Sequence, residues 1–328
     1  MKPSRLHGVL RSLLKQRWPA FIWGPPGIGK SSIVHSIGRE HGVPVVDLRA
    51  SLLDPTDLRG IPAIESGRAV WCPPAFLPSA NDEPGILFLD EINAAPPLVQ
   101  ASLYQLVLDR RVGEYELPIG WWIVAAGNRH QDRAVTFRLS SALANRFIHL
   151  SLEPDVEDWR NWAIARRLNP LVVSFIAVRP ALLSQDPGEG SAYPTPRSWE
   201  MVSDMISTFD GYDDCSDVIP GVVGQAAATE FAAHVRKAMN EKTMRAILAD
   251  PERAKVPDTL DGLYVLTAWL TWHAADEAVS QSTARLLGRL PPEFGVVLAR
   301  DMMKARPQFA REQGYRDFMK QHGHLLTR

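Results

Sequence analysis

Thiols are scarce in this 328-residue chain: it holds two cysteines, Cys72 and Cys215, far apart and outside any C-x-x-C spacing. That excludes a disulfide framework and a cysteine-rich zinc site, and it reads as the reduced thiols of a cytoplasmic protein. Excess charge is missing as well. The formal net charge is −1, so there is no global basic field, which argues against nucleic acid as a partner. Pairs such as Arg110-Arg111 and Arg166-Arg167 read as solvated faces. No apolar run is long enough to cross a bilayer. The longest, near Leu263–Ala275, reads as a buried helix. The N-terminal MKPSRLHGVLRSLL is broken by Arg5 and Arg11 and makes a poor signal peptide. No repeat or low-complexity tract occurs. The histidines, His322 and His324 included, form no metal-like constellation and read as surface, as does His130.

What remains is 45% hydrophobic and 22% charged residues, the composition of a globular chain of roughly two to three domains. Leu6, Val9, Leu10, Leu13 and Leu14 recur at helical spacing, with Ser4 as the expected N-cap. Strands are expected at Ala20–Trp23, Val43–Leu48, Gly85–Leu89, Trp122–Ala126 and Phe147–Leu152, with helices between them, one opened by Pro96 and Pro97. Asp54–Pro84, rich in proline and glycine, reads as irregular, and Arg110–Trp121 as a hairpin around Gly113 and Glu114. Strands alternating with helices imply a parallel α/β sheet. After Glu153 only helical periodicity appears. Its clearest segments are Val156–Leu168, Leu171–Val178, Ser198–Thr208, Ala226–Met239, Leu260–Ala275 and Phe294–Met303, with a loop at Ser184–Pro196. The expected division is an α/β core at 1–152, a helical segment at 153–210 and a helical extension at 211–328 of unassigned role.

The chemistry concentrates in five motifs. GPPGIGKS, Gly24–Ser31, follows an apolar strand and opens a helix. It fits G-x-x-x-x-G-K-[ST] in the strand–loop–helix setting that motif needs. Gly24, Pro25, Pro26, Gly27, Ile28, Gly29, Lys30, Ser31 and Ser32 would form the nucleotide cradle. Glycines let backbone N–H groups close on a phosphate, and the helix dipole favours the same anion. Lys30 would reach the β- and γ-phosphates of ATP, and the Ser31 hydroxyl would ligate Mg²⁺. ILFLDEIN, Ile86–Asn93, ends an apolar strand in two carboxylates. Asp90 would share the Mg²⁺, and Glu91 would take a proton from the attacking water.

IVAAGNRH, Ile123–His130, ends a strand at Asn128, which could polarise that water; an Asn after a Gly is also a common turn residue. In SSALANRF, Ser140–Phe147, Arg146 would act as an arginine finger on a neighbouring subunit, with Arg138 as competitor and Arg129 more distant. In YPTPRSWE, Tyr193–Glu200, Thr195 or Ser198 caps a helix. Arg197 near that helix start needs an anion, either a bound phosphate or Glu200. The ten tryptophans read mostly as packing, with Trp121 or Trp122 open to a hairpin contact.

In this order the motifs resemble those of the AAA+ ATPases, specifically the MoxR-like branch. The resemblance is specific over 17–152 and fair to about 200. Gly24–Ser31 resembles Walker A, Ile86–Glu91 Walker B, Asn128 sensor 1, Arg146 the arginine finger and Arg197 sensor 2. Asp54–Gly60 and Ala69–Pro78 resemble the branch's extra β-hairpin, and Arg110–Trp121 its hairpin before sensor 1. Asn145 stands before Arg146 where many relatives have Asp. The resemblance implies an αβα core, a helical lid, a hexameric ring with ATP at subunit interfaces, and chaperone-like remodelling with a von Willebrand factor A-domain partner. Three other readings stay open: a nucleic-acid-acting motor, a nucleotide-gated binding module and a P-loop phosphotransferase. Glu91 and Asn128 together argue against a module that does not turn over.

Overall fold

The structure, a computed structural model, describes residues 1–129, 132, 137–187, 192–238 and 241–327. His130, the middle of the Ser184–Pro196 loop and Met239 lie outside them. The chain divides into two compact units, Met1–Pro154 and Asp155–Arg328.

The first unit runs α1 (Pro3–Gln16), β1 (Ala20–Trp23), α2 (Lys30–His41), β2 (Val45–Arg49), α3 (Pro55–Arg59), β3 (Ile61–Glu65), β4 (Arg68–Cys72), β5 (Ile86–Asp90), α4 (Pro97–Asp109), β6 (Arg111–Val112), β7 (Tyr115–Glu116), β8 (Trp122–Gly127), α5 (Ser141–Ala144) and β9 (Ile148–Ser151). Its main sheet has five strands in the order β2-β5-β8-β1-β9, every pair parallel. Strand side chains alternate between faces. Ala20, Ile22, Ile86, Phe88, Val124 and Ala126 therefore enter one core, with α1 and α2. Phe21, Leu87, Leu89, Ile123 and Ala125 enter another, with α4. A sheet buried on both faces explains why β5 is apolar up to its closing Asp90. The expected αβα layering is observed.

Several local expectations change. Lys2, not Ser4, is the N-cap of α1, because Pro3 takes the first helical position, where its missing N–H costs nothing. β2 starts at Val45; the Val43 N–H instead bonds to Gly38 at the end of α2. The stretch 54–84 is more ordered than its composition suggests. Asp54 caps α3 reciprocally with Asp57. Ser66 and Gly67, both at positive φ, make the two-residue turn joining β3 to β4. Trp121 and Trp122 are both buried, so neither serves as an exposed hairpin contact.

The second unit contains no strand among the described residues. It runs α6 (Val156–Ala165), α7 (Pro170–Val178), α8 (Pro196–Thr208), α9 (Pro220–Val223), α10 (Gln225–Lys237), α11 (Glu241–Ala249), α12 (Leu260–Trp272), α13 (Glu277–Leu286), α14 (Pro292–Ala305) and α15 (Gln313–His322). Thr195 is the cap of α8, in a reciprocal box with Ser198. One core joins Phe175, Trp199, Cys215, Ile219 and Phe231, and so runs across residue 210. A second gathers Leu266, Leu270, Leu298, Met302, Phe309 and Phe318. Burial is enough to order the cap-poor segment around Cys215, whose short turns gave no periodic signal.

Candidate nucleotide site

The strand order places β1 between β8 and β9, so the loop after β1 emerges at the carboxyl edge of a parallel sheet, where such folds bind ligands. Gly27 (φ 73°) and Gly29 (φ 99°) take left-handed conformations, which glycine adopts without steric cost. The Lys30 side chain is 9% exposed. It folds back under the loop and donates to Gly24 O at 2.6 Å and Pro25 O at 3.0 Å. It also donates to Asn128 Oδ1 at 2.9 Å. The end of β1 and the end of β8 thus meet through one ammonium. Ser31 and Ser32 follow in the first turn of α2, Ser31 half-buried and Ser32 exposed.

Asp90 closes β5, beside β8. Burial pushes its carboxyl pKa up, against the opposing pull of the Glu91 N–H and the Lys30 charge. The Glu91 N–H donates to Asp90 Oδ1 at 2.9 Å. Glu91 itself sits at φ 54°, an uncommon conformation for a residue with a side chain. It redirects the chain into the 3-10 turn Ile92–Ala94. The Glu91 carboxylate accepts from Ser51 Oγ at 2.6 Å. The desolvated Asp90 carboxylate at the strand end and the Ser31 hydroxyl in the first turn of α2 are oxygen donors of the kind hard divalent cations take. The residues fit Mg²⁺ on those grounds.

Three positions at this site carry no signal of their own in the sequence. Ser51 is one. Asn93 is another: its amide nitrogen donates to Asn128 O at 2.7 Å, and its Oδ1 accepts the Asn128 N–H at 3.2 Å. That pair fixes the backbone from which the Asn128 side chain projects. Gly127 is the third. A Cβ there would stand 2.2 Å from Asn93 Oδ1. The glycine before Asn128 therefore serves close approach rather than a turn. Asn93 is visible inside ILFLDEIN, but nothing local says that its amide crosses to β8.

The arginines fall out differently. Arg129 is committed within its own unit, donating to Leu152 O at 2.6 Å. Arg146, after α5, and Arg138 are both exposed, and among the described residues no carboxylate pairs with either. Arg197 is exposed in the first turn of α8, in the second unit. Glu200 does not pair with it, being 3.8 Å from Arg166 instead.

Residues 19–147 match the AAA domain family, dynein-related subfamily. The match covers less than half of the chain, and over that stretch the chain is similar to AAA-class P-loop NTPases. Among curated relatives, the Holliday junction branch migration complex subunit RuvB of Christiangramia forsetii is 33% identical over 90 residues, 27% of this chain and 22% of that protein. The replication factor C large subunit of Pyrobaculum calidifontis is 45% identical over 38 residues, 12% of this chain and 9% of that one. The matched stretches thus span less than a quarter of either relative. Among solved structures, NtrX of Brucella abortus in complex with ADP aligns at TM-score 0.45 and 14% identity, covering 98% of this chain and 68% of that one. The RuvB branch migration motor of Thermotoga maritima aligns at TM-score 0.35 and 16% identity, covering 98% and 87%. Superpositions this loose assign no role to any residue of this chain. Among the described residues no helix is long and apolar enough to cross a membrane.

Proposed function

We propose that this chain is a Mg²⁺-dependent ATP hydrolase of MoxR-like type, a cytoplasmic, oligomeric, chaperone-like motor that remodels a protein partner. The observation that carries the reading is the meeting of Lys30 and Asn128 at 2.9 Å across the carboxyl edges of β1 and β8. Asp90 and Glu91 end β5, the next strand along. The loop amides of 24–31 hold the phosphates, and Lys30 exchanges its carbonyl partners for β- and γ-phosphate oxygens. Ser31 and Asp90 would hold Mg²⁺, which supplies charge neutralisation on the phosphates when bound. Water attacks the γ-phosphorus, the bond to the β–γ bridging oxygen breaks, and the Glu91 carboxylate takes the water proton. Asn128 orients that water. Arg146 from a neighbouring subunit, with Arg138 as its rival, and Arg197 within the same chain stabilise the developing charge. The 153–210 segment acts as the lid.

A ring of six suits a finger supplied in trans. Ile61, Ile64 and Ile119, almost wholly exposed beside the two small hairpins, suit contact with a protein partner, of which a von Willebrand factor A-domain protein is the first to try. The RuvB and replication factor C matches favour a second reading, a motor acting on nucleic acid, which the chain's charge of −1 disfavours.

The test is ATPase activity against protein concentration, with particle size followed in parallel and with Mg²⁺, DNA or an A-domain protein added. A steep rise of specific activity with a hexamer-sized species supports the shared site. Activity independent of concentration from a monomer removes the trans finger. Stimulation by DNA that fades with salt replaces the protein-remodelling reading with the second one.

A further inference from the structure

The second unit contains a cavity of about 500 Å³, within the range that takes a small ligand. It lies among α6, α7, α12, α14 and the residues just after α6 and α12. Its walls are mainly apolar, with Leu168, Val173 and the Trp272 indole among them. The charged side chains on it are all cationic: Arg160, Arg167 and Lys304.

The nearby carboxylates are already engaged. Buried Asp301 takes both Arg160 and Arg300, and Glu157 takes Arg300 at 2.7 Å. Lys304 donates to the neutral Asn161 Oδ1 at 2.6 Å. Among the described residues no carboxylate pairs with Lys304 or Arg167. The Lys304 pKa is lowered, first by partial burial and next by Arg300, with Asp301 and Glu157 pulling the other way.

Arg167 is held for a different contact. It follows the C-cap of α6 at φ 57°, and its N–H and that of Leu168 bond back to Ile164 O and Ala163 O. That helix ending favours glycine. The arginine there lays its guanidinium 5.5 Å from the centre of the Trp272 ring. Cations without counter-ions beside an indole in an apolar recess suit a flat ring carrying a negative group.

We propose that this cavity binds a small organic anion with a planar apolar body. The phosphate of a nucleoside monophosphate and the carboxylate of an aryl acid are two sources of that chemistry. The ring would lie against Trp272 and the anionic group between Arg167 and Lys304. This site is independent of the nucleotide reading of the first unit, since none of its residues belongs to that unit.

The experiment is calorimetric titration of the full-length chain with AMP and, separately, with indole-3-acetate, each repeated in the Arg167→Gly, Lys304→Gln and Lys30→Ala variants. Neutral indole-3-acetamide serves as the charge control. Arg167→Gly keeps the fold, because glycine suits φ 57°. The expected result is one site for at least one anion, weakened about tenfold by Arg167→Gly and severalfold by Lys304→Gln, unchanged by Lys30→Ala, and about tenfold weaker for the amide. Binding of AMP alone points to the phosphate source, and of indole-3-acetate to the carboxylate source. No binding of either at millimolar concentration overturns the proposal. So does binding that Lys30→Ala abolishes, or that both Arg167→Gly and Lys304→Gln leave intact.

Discussion

Two lysines, one in each unit, end on an asparagine amide oxygen, and they sit in opposite electrostatic settings. Lys30 donates to Asn128 and to two loop carbonyls, with the Asp90 carboxylate near enough to feel its charge. Lys304 donates to Asn161, with Arg300 and Arg160 as charged neighbours and Asp301 largely used up by them. The first ammonium is buried among acceptors. The second belongs to a surface residue at the rim of a cavity, where the charged lining side chains are all cationic. On the two proposals made above, the same side chain passes from protein oxygens to a phosphate in one unit and attracts an anion as it stands in the other. The difference comes from the backbone around each lysine: left-handed glycines bend the loop carbonyls onto Lys30, whereas Lys304 projects from the last turn of α14.

The sharpest way to test the Lys30 side of this comparison is to remove its partners in chemistry. Glu91→Gln is expected to lower ATP turnover by about two orders of magnitude or more while ATP still binds; turnover like the parent's would end the assignment of Glu91 as base. Lys30→Ala should instead weaken ATP binding itself, read by titration. A second break is Gly127→Ala, whose Cβ would meet Asn93 Oδ1 at 2.2 Å and Phe21 Cζ at 2.9 Å. We expect about 2 kcal/mol of destabilisation by denaturant midpoint. Adding Asn93→Ala should cost less than the sum of the two single changes, because the contact then no longer exists.

The second unit offers a titratable contrast. His234 is buried against Ser174 at 2.8 Å. Burial, together with the charges of Arg179 and Lys237 and against the pull of Asp261, lowers its pKa to about 4. The folded state therefore holds the ring neutral, and its contribution is complete above the unfolded-state pKa. It should be lost as pH falls from about 6.5 towards 4, by roughly 3 kcal/mol. A urea midpoint that falls equally in His234→Phe and in the parent over that interval would assign the loss to other groups. The smallest effect is expected on the first unit's surface. The Arg111–Glu116 pair at 3.0 Å is exposed on both sides, so replacing both with Ala should shift unfolding by no more than about 0.5 kcal/mol.

Much of the first unit was legible because its signals are local. A strand buried on both faces is apolar whatever packs on it, and a phosphate loop needs its glycines at fixed steps. The αβα core, the position of the loop and the strand-end carboxylates follow from residues that stand next to one another. The hairpin at 61–72 overlaps the resemblance drawn for Asp54–Gly60 and Ala69–Pro78 only in its second strand, and its first strand and Ser-Gly turn had no signal in composition. Asn93 and Ser51 were not legible. Each acts on a residue distant in sequence, and only the packing of the turns after β2 and β5 brings them there.

The sequence by itself determined the glycine-rich loop proposed to hold phosphate, the parallel sheet that presents it and the absence of strands among the described residues beyond Glu153. Those properties depend on backbone conformation and on burial repeating at short intervals. Tertiary structure alone decided which amide fixes Asn128, which hydroxyl meets Glu91, and that Arg167 and Lys304 share a cavity with Trp272. Such contacts join side chains far apart along the chain, and no local pattern specifies a distance across a packed core.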